Sequence, residues 1–297
     1  MAEFQIFSDG ACDMEKEVAE KYHIKMIPFY VSLDHTNYYK EIEELPLSSF
    51  YKNILEEHGY PKTSLPSVQD YVDAFTPVLD EGKDILCLTI TDTLSGSYQS
   101  AVTAKLMLEE SYPHAKIYVL NSWHATGSQL LLLIEAAKMQ AAGYGIDDVY
   151  AFTEKCRVDG RIIFMVGALN HLEKGGRIGK IAALSGSILN IKPIIILNGG
   201  EINVGGVSRG RKKGLLKLVE LTKQHFQKTG ENPENYTFII GVTDIWDEID
   251  LLSNTLKDAF PNIELRKPFQ IGAAIASHTG PGTVGICFVK KFDAYLS

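Results

Sequence analysis

The chain has 297 residues, 45% of them hydrophobic and 22% charged, the balance of a globular protein that buries a large core in about two domains. Its net charge of -8 excludes a general nucleic-acid binder, because phosphate backbones require a basic surface. The apolar stretch over residues 130–137 contains Glu135 and is far too short to span a bilayer.

In chain order, residues 4–7 read as a strand ending at Ser8-Asp9-Gly10. Asp13 is expected to cap the next helix, with Glu15 and Glu17 in its first turn. Residues 25–33 form a second strand. Pro46 opens a helix to about residue 57, and Ser67 or Val68 opens another to about residue 80. Residues 84–90 are an apolar run with the character of a buried parallel strand, followed by a helix over 98–110. Residues 116–120 are a strand ending at Asn121-Ser122, and 127–142 a strongly apolar helix stopped by Gly143. Repeated strand–helix units predict an α/β domain over residues 1–157 with a mostly parallel sheet covered on both faces. Ligands of such sheets sit at the carboxyl ends of the strands, where Ser8-Asp9, Ser95-Gly96 and Asn121-Ser122 fall.

After residue 157 the pattern changes to that of an α+β domain over 158–297. Residues 161–166 are a strand, 169–174 a short helix ending at Gly175-Gly176, and 178–189 a helix. Asn198-Gly199-Gly200 joins strands 192–197 and 201–204 in a hairpin. Helices 212–228 and 247–260 alternate with strands 237–242 and 263–266, and 284–289 is a closing apolar strand.

Three polar segments have the make-up of anion holders. Ser95-Gly96-Ser97 stands at a strand-to-helix turn, where hydroxyls and free backbone N–H groups favour negative charge; it is either a ligand cradle or a plain helix cap. Thr63-Ser64-Leu65-Pro66-Ser67 is either a second such loop or a rigid lead into a helix. His278-Thr279-Gly280-Pro281-Gly282 reads as a tight turn whose histidine can donate to an anion or carry a proton. Glu173-Lys174-Gly175-Gly176-Arg177 is a cationic clamp or a helix end with basic residues, and Arg209-Gly210-Arg211-Lys212-Lys213 a solvated helix start or an anion contact. Neither the phosphate loop G-x-x-x-x-G-K-[ST] nor a G-x-G-x-x-G turn occurs, so neither ATP nor a dinucleotide is expected. The histidines show no metal spacing, so no metal is expected either. The four cysteines form no C-x-x-C pair and two lie in apolar runs, which fits free buried thiols. With a first segment that lacks a basic, signal-like start, a cytoplasmic location is expected.

Taken together, Ser8-Asp9, Thr63-Ser64-x-Pro66-Ser67, Ser95-Gly96-Ser97-Tyr98-Gln99-Ser100-Ala101, Leu172-Glu173-Lys174-Gly175-Gly176-Arg177-Ile178 and His278-x-Gly280-Pro281-Gly282-x-x-Gly285 resemble the DegV family. The resemblance runs in order over essentially the whole chain. It implies a two-domain protein that is not itself an enzyme, uses no cofactor, and buries one long-chain fatty acid between the domains. It further implies carboxylate contacts from Thr63, Ser64, Ser95 and Gly96, with His278, Arg177 and Arg209 near the mouth as candidates for stabilising a phosphoryl acceptor. A separate kinase subunit supplying the ATP site is the implied partner, feeding phospholipid synthesis, with transient membrane contact. Leu65 stands where the family usually has a polar residue, and Ser97 where it usually has threonine. Aliphatic and aromatic candidates for the tail channel are Ile27, Phe29, residues 130–133, Phe164, Met165 and residues 194–197. Two other readings stay open: a stand-alone Ser95/His278 hydrolase or transferase, and a passive lipid store.

Overall fold

The computed structural model describes residues 3–184 and 191–296. The first run of elements is β1 (Phe4–Asp9), α1 (Lys16–Tyr22), β2 (Ile24–Ile27), β3 (Tyr30–Ser32), β4 (Tyr39–Lys40), α2 (Leu47–Leu55), β5 (Lys62–Ser64), α3 (Val68–Asp80), β6 (Asp84–Thr89), α4 (Ser97–Ser111), β7 (Ile117–Asn121), α5 (Thr126–Ala141) and α6 (Ile146–Cys156). The second is β8 (Arg161–Met165), α7 (Asn170–Lys174), β9 (Ile191–Asn198), β10 (Glu201–Arg209), α8 (Arg211–Thr229), β11 (Tyr236–Val242), α9 (Ile249–Ala259), β12 (Glu264–Leu265), β13 (Phe269–Gln270), α10 (Ala273–Thr279), β14 (Val284–Lys290) and α11 (Asp293–Leu296).

A parallel sheet in the order β2-β1-β6-β7 forms the first layer. All of β6 is buried, and its side chains alternate between two faces as the strand period requires. Ile85 and Cys87 pack with Tyr71 and Phe75 of α3 and with Ala101, Ala104 and Leu108 of α4. Leu86 and Leu88 face the other way, onto α5. A larger mixed sheet runs β10-β9-β8-β14-β11-β12, with β13 also on β11. Helices α8 and α9 cover its outer face through Leu215, Leu218, Leu252 and Leu256. Its inner face contributes Ile162, Phe164, Leu197 and Cys287 to the same core as Ile6, Leu88 and Leu131.

Helix α5 is thus the shared middle layer, touching β1 and β6 on one side and β8, β11 and β14 on the other. A helix buried all round must be apolar all round, which is why residues 130–134 carry no polar stripe. Each of these leucines contributes roughly 1.5–3 kcal/mol by leaving water. Glu135, fully buried in α5, is tolerated because it accepts hydrogen bonds from Lys138 Nζ at 2.7 Å and from the Phe292 N–H at 3.0 Å.

Several sequence expectations need correction. Asp13 caps no following helix. It has φ 52°, closes the short turn after β1, and buries its carboxylate against Thr126, whose hydroxyl donates at 2.5 Å. Residues 25–33 are two strands, because Pro28 lacks an N–H and breaks the ladder; β3 leaves the parallel sheet for a small antiparallel one, β4-β3-β5. His278 is in the last turn of α10 and not in a turn outside any helix. The helix expected over 178–189 is a 3-10 turn, Gly179–Leu184, and its remainder lies outside the described residues. Helix α6, β13 and α10 were not expected at all. No helix among the described residues is long and apolar enough to cross a membrane.

Candidate ligand-binding site

Between the inner face of the large sheet and the first half of the chain lies a cavity of about 240 Å³. Its floor crosses the strands through Ile202 of β10, Leu197 of β9, Ile162 and Phe164 of β8, Cys287 and Gly285 of β14, and Gly241 of β11. Phe29, Ala125, Thr126, Phe269, Ile271 and Ala274 complete the apolar wall. Apolar walls of this extent suit an apolar guest.

The polar end is assembled from four separated segments. Strand β5 pairs with β3, Val31 opposite Thr63, and this holds Thr63 and Ser64 at the rim. The Ser67 capping box with Asp70 then starts α3 directly behind them. Ser95 precedes α4, whose N-cap is Gly96, and Ser95 Oγ accepts from the Ser97 N–H at 3.2 Å. Accepting that bond leaves the Ser95 hydroxyl proton for another acceptor. Arg177 lines the cavity and braces the same loop, donating from Nε to Leu94 O at 3.0 Å and from Nη1 to Gly175 O at 2.7 Å. His278 of α10 meets Thr63, with Nε2 and Oγ1 2.8 Å apart.

The electrostatics favour uncharged donors here. Burial, then the nearby Arg177 charge, then His171, push the His278 imidazole down to about 4, so it is neutral at pH 7. In the tautomer with hydrogen on Nε2, His278 donates to Thr63, and Thr63 keeps its own proton for a bound carboxylate. The sign of the resulting pH dependence is set by the neutral form being favoured in the fold. Its contribution is complete above pH 6.5 and is lost as pH falls from 6.5 through about 4. The unfolding free energy of wild type relative to His278→Gln is expected to fall by on the order of 3 kcal/mol between neutral pH and pH 4. Parallel pH curves for the two proteins would contradict the buried neutral imidazole.

Behind the rim sits a carboxylate that the sequence placed at a strand end without revealing its partners. Asp9, fully buried, accepts from the Ile90 N–H at 2.9 Å, Ser97 Oγ at 2.6 Å and Gln129 Nε2 at 2.9 Å. Burial raises its pKa while these bonds oppose the rise. It ties β1, the end of β6, α4 and α5 together, and through Ser97 it anchors the Ser95 turn. Glu41 does similar work at α10, accepting from the Phe29 N–H at 3.2 Å and the Ala274 N–H at 3.0 Å; burial pushes its carboxyl up to about 7.

Of the residues singled out from sequence, Thr63, Ser64, Ser95, Arg177 and His278 line this one cavity. Gly96 lies just behind it, beside Leu65, whose Cδ2 would be 3.3 Å from a Cβ at that position. Arg209 is exposed at the last residue of β10, outside the lining. Among the tail candidates Phe29, Phe164 and Leu197 line the cavity. Ile27 belongs to the α3–α4 face, and Met165 and Ile194 to the opposite face under α8 and α9. Sequence reasoning missed Phe269 and Cys287 in the wall. No signal marked Phe269, because a two-residue strand after a proline has no periodicity. Among the described residues no group of His, Cys, Asp and Glu comes together as a metal site.

The family model described as "Uncharacterised protein, DegV family" matches residues 3–291. A DegV domain-containing protein of Clostridium perfringens is 34% identical over 97% of this chain and 98% of its own. A stearic acid-binding protein from Eubacterium ventriosum superimposes with TM-score 0.92 at 32% identity, covering 98% of this chain and 99% of that one. A fatty acid-binding DegV family protein of Thermus thermophilus matches with TM-score 0.85 at 26% identity, covering 98% and 100%. The fatty acid binding protein DegV of Bacillus subtilis matches with TM-score 0.84, also at 26% identity and with the same coverage.

Proposed function

Since the chain belongs to the DegV family, we propose that it holds one long-chain fatty acid in the cavity and presents the carboxylate to a separate kinase. The observation that carries this reading is a mostly apolar cavity whose lining also holds the hydroxyls of Thr63, Ser64 and Ser95. A tail gains roughly 0.8 kcal/mol for each buried CH₂, so about fifteen methylenes contribute on the order of 10 kcal/mol before ordering costs. The head group is held by the hydroxyls of Thr63, Ser64 and Ser95 at the start of α4, which satisfy a carboxylate without a rigid ion pair.

A carboxylate held this way can act as the nucleophile. One of its oxygens attacks the terminal phosphorus of ATP bound by the partner, the bond to ADP breaks, and an acyl phosphate forms. Arg177 stands at the rim to meet the added negative charge, with neutral His278 orienting Thr63. Arg209, exposed beyond the lining, is a cation facing the partner. The absence of an ATP phosphate loop from this sequence supports a second subunit for that step.

A hydrolase reading is weaker. His278 is bonded to Thr63, and no hydrogen bond joins it to Ser95 or to a carboxylate among the described residues. One experiment with two readouts tests the proposal. Mass spectrometry of small molecules released on denaturation is expected to find a long-chain fatty acid at one per chain. Acyl phosphate is then expected to form only with the kinase present, and to fall in Arg177→Ala. Release of no lipid would end the fatty acid reading; full turnover without a partner would end the presentation reading.

A further inference from the structure

The far wall of the cavity is built in a way that sequence periodicity cannot explain. Gly241 of β11 pairs with Phe269 of β13 on one side and with Gly285 of β14 on the other, and Gly285 pairs with Phe164 of β8. Directly opposed residues share a face, so one row across the sheet reads Phe269, Gly241, Gly285, Phe164. A Cβ at Gly241 would lie 2.6 Å from Phe269 Cζ, and one at Gly285 would lie 2.7 Å from Phe164 Cβ. From the helix, a Cβ at Gly127 of α5 would lie 2.8 Å from Phe269 Cε1. The Cε1–Cζ edge of the Phe269 ring is therefore packed against glycine positions of both the sheet and α5. Glycine in a strand interior weakens it, and marks a place where something must approach closely.

This clamp stands opposite the polar end. Arg177 and Leu94 lie on the β10 side, where Gly179 packs beside Ile202. Phe269 lies on the β11 side, and it precedes α10, whose last turn carries His278. Three strand spacings, roughly 14 Å, separate Phe269 from Phe164, and the two glycines between them add no side chain to the floor, whose space the two phenylalanines take up.

Resting on the fatty acid reading above, we propose that Phe269, held by Gly127 and Gly241, is the end wall of the tail channel and sets the length of acid that this protein accepts. The ring has no room to move toward either glycine, because even a Cβ there would collide with its Cε1–Cζ edge. A tail that reaches it must stop or leave the channel.

The test loads purified wild type, Phe269→Leu, Phe269→Ala and Gly241→Ala with an equimolar mixture of straight-chain fatty acids and weighs what each retains by mass spectrometry. Removing the ring is expected to move the preference to longer acids. Each extra methylene that finds room raises relative retention about fourfold, so two raise it more than tenfold. Gly241→Ala, which drives the ring into the channel, is expected to move it the other way. Phe269→Leu removes the ring and shortens the side chain while keeping the wall apolar, so a smaller shift in the same direction is expected of it, and it carries the test if Phe269→Ala does not fold. An unchanged order of preference in the folded variants, with wild type still carrying its acid, overturns the end wall. Failure of wild type to retain any fatty acid overturns the reading beneath it instead.

Discussion

Combining Thr63→Val with Ser95→Ala is expected to weaken fatty acid retention by about two to four orders of magnitude. A hydrogen bond to a charged group contributes about 1.5–3 kcal/mol, and the pair of substitutions removes two of them. Thr63→Val keeps the branched shape that fits β5 and loses the hydroxyl, and with it the partner of His278 Nε2. Ser95→Ala loses the acceptor of the Ser97 N–H as well as the donor to the ligand. The tail contribution is untouched, so the loss should appear as faster release of acids of every length, without a change in their ranking. Competition against a fluorescent fatty acid measures it. Retention equal to wild type would mean that the carboxylate lies elsewhere.

Asp9→Ala is expected to have the largest effect on stability. It strands the Ile90 N–H and takes one acceptor from the Ser97 hydroxyl and one from the Gln129 amide, which keep Tyr71 and Ser8 as partners. The orphaned Ile90 N–H costs about 1–3 kcal/mol and each of the two lost bonds about 0.5–1.5 kcal/mol, so the sum is roughly 2–6 kcal/mol. For a chain of this size the thermal midpoint should fall by on the order of 10 °C. Asp9→Asn should be far milder. Gln129 Oε1 has no hydrogen-bond partner, so the Gln129 side chain can turn over and accept from the new amide. Thermal unfolding of both variants checks the contrast; equal losses would mean that the negative charge, and not the bonding pattern, is what the site requires. Because Ser97 links Asp9 to Ser95, the alanine variant should also hold ligand less well than its residual stability alone explains.

Much of the architecture was legible because it follows from local pattern. The unbroken apolar run of β6, the capping box of α3, the glycine hairpin between β9 and β10 and the all-round apolar α5 each carry their own signal. Five of the candidate site residues were legible through motif resemblance and proved to share one cavity. The break at Pro28 was readable in principle, since a proline within a presumed strand argues against a continuous ladder. Helix α10 was obscured by its brevity and by the glycines at both of its ends.

What the amino-acid order determined by itself is which faces are apolar, where helices and strands begin and end, and which loops carry spare hydroxyls. Only the folded chain decided that Thr63 meets a histidine 215 positions away, that Arg177 reaches the rim while Arg209 does not, and that Phe269 is packed against two glycines. The physical reason is that periodicity reports whether a side chain leaves water, whereas a cavity is the space that two buried faces fail to fill, and that depends on the fit of residues far apart in the chain.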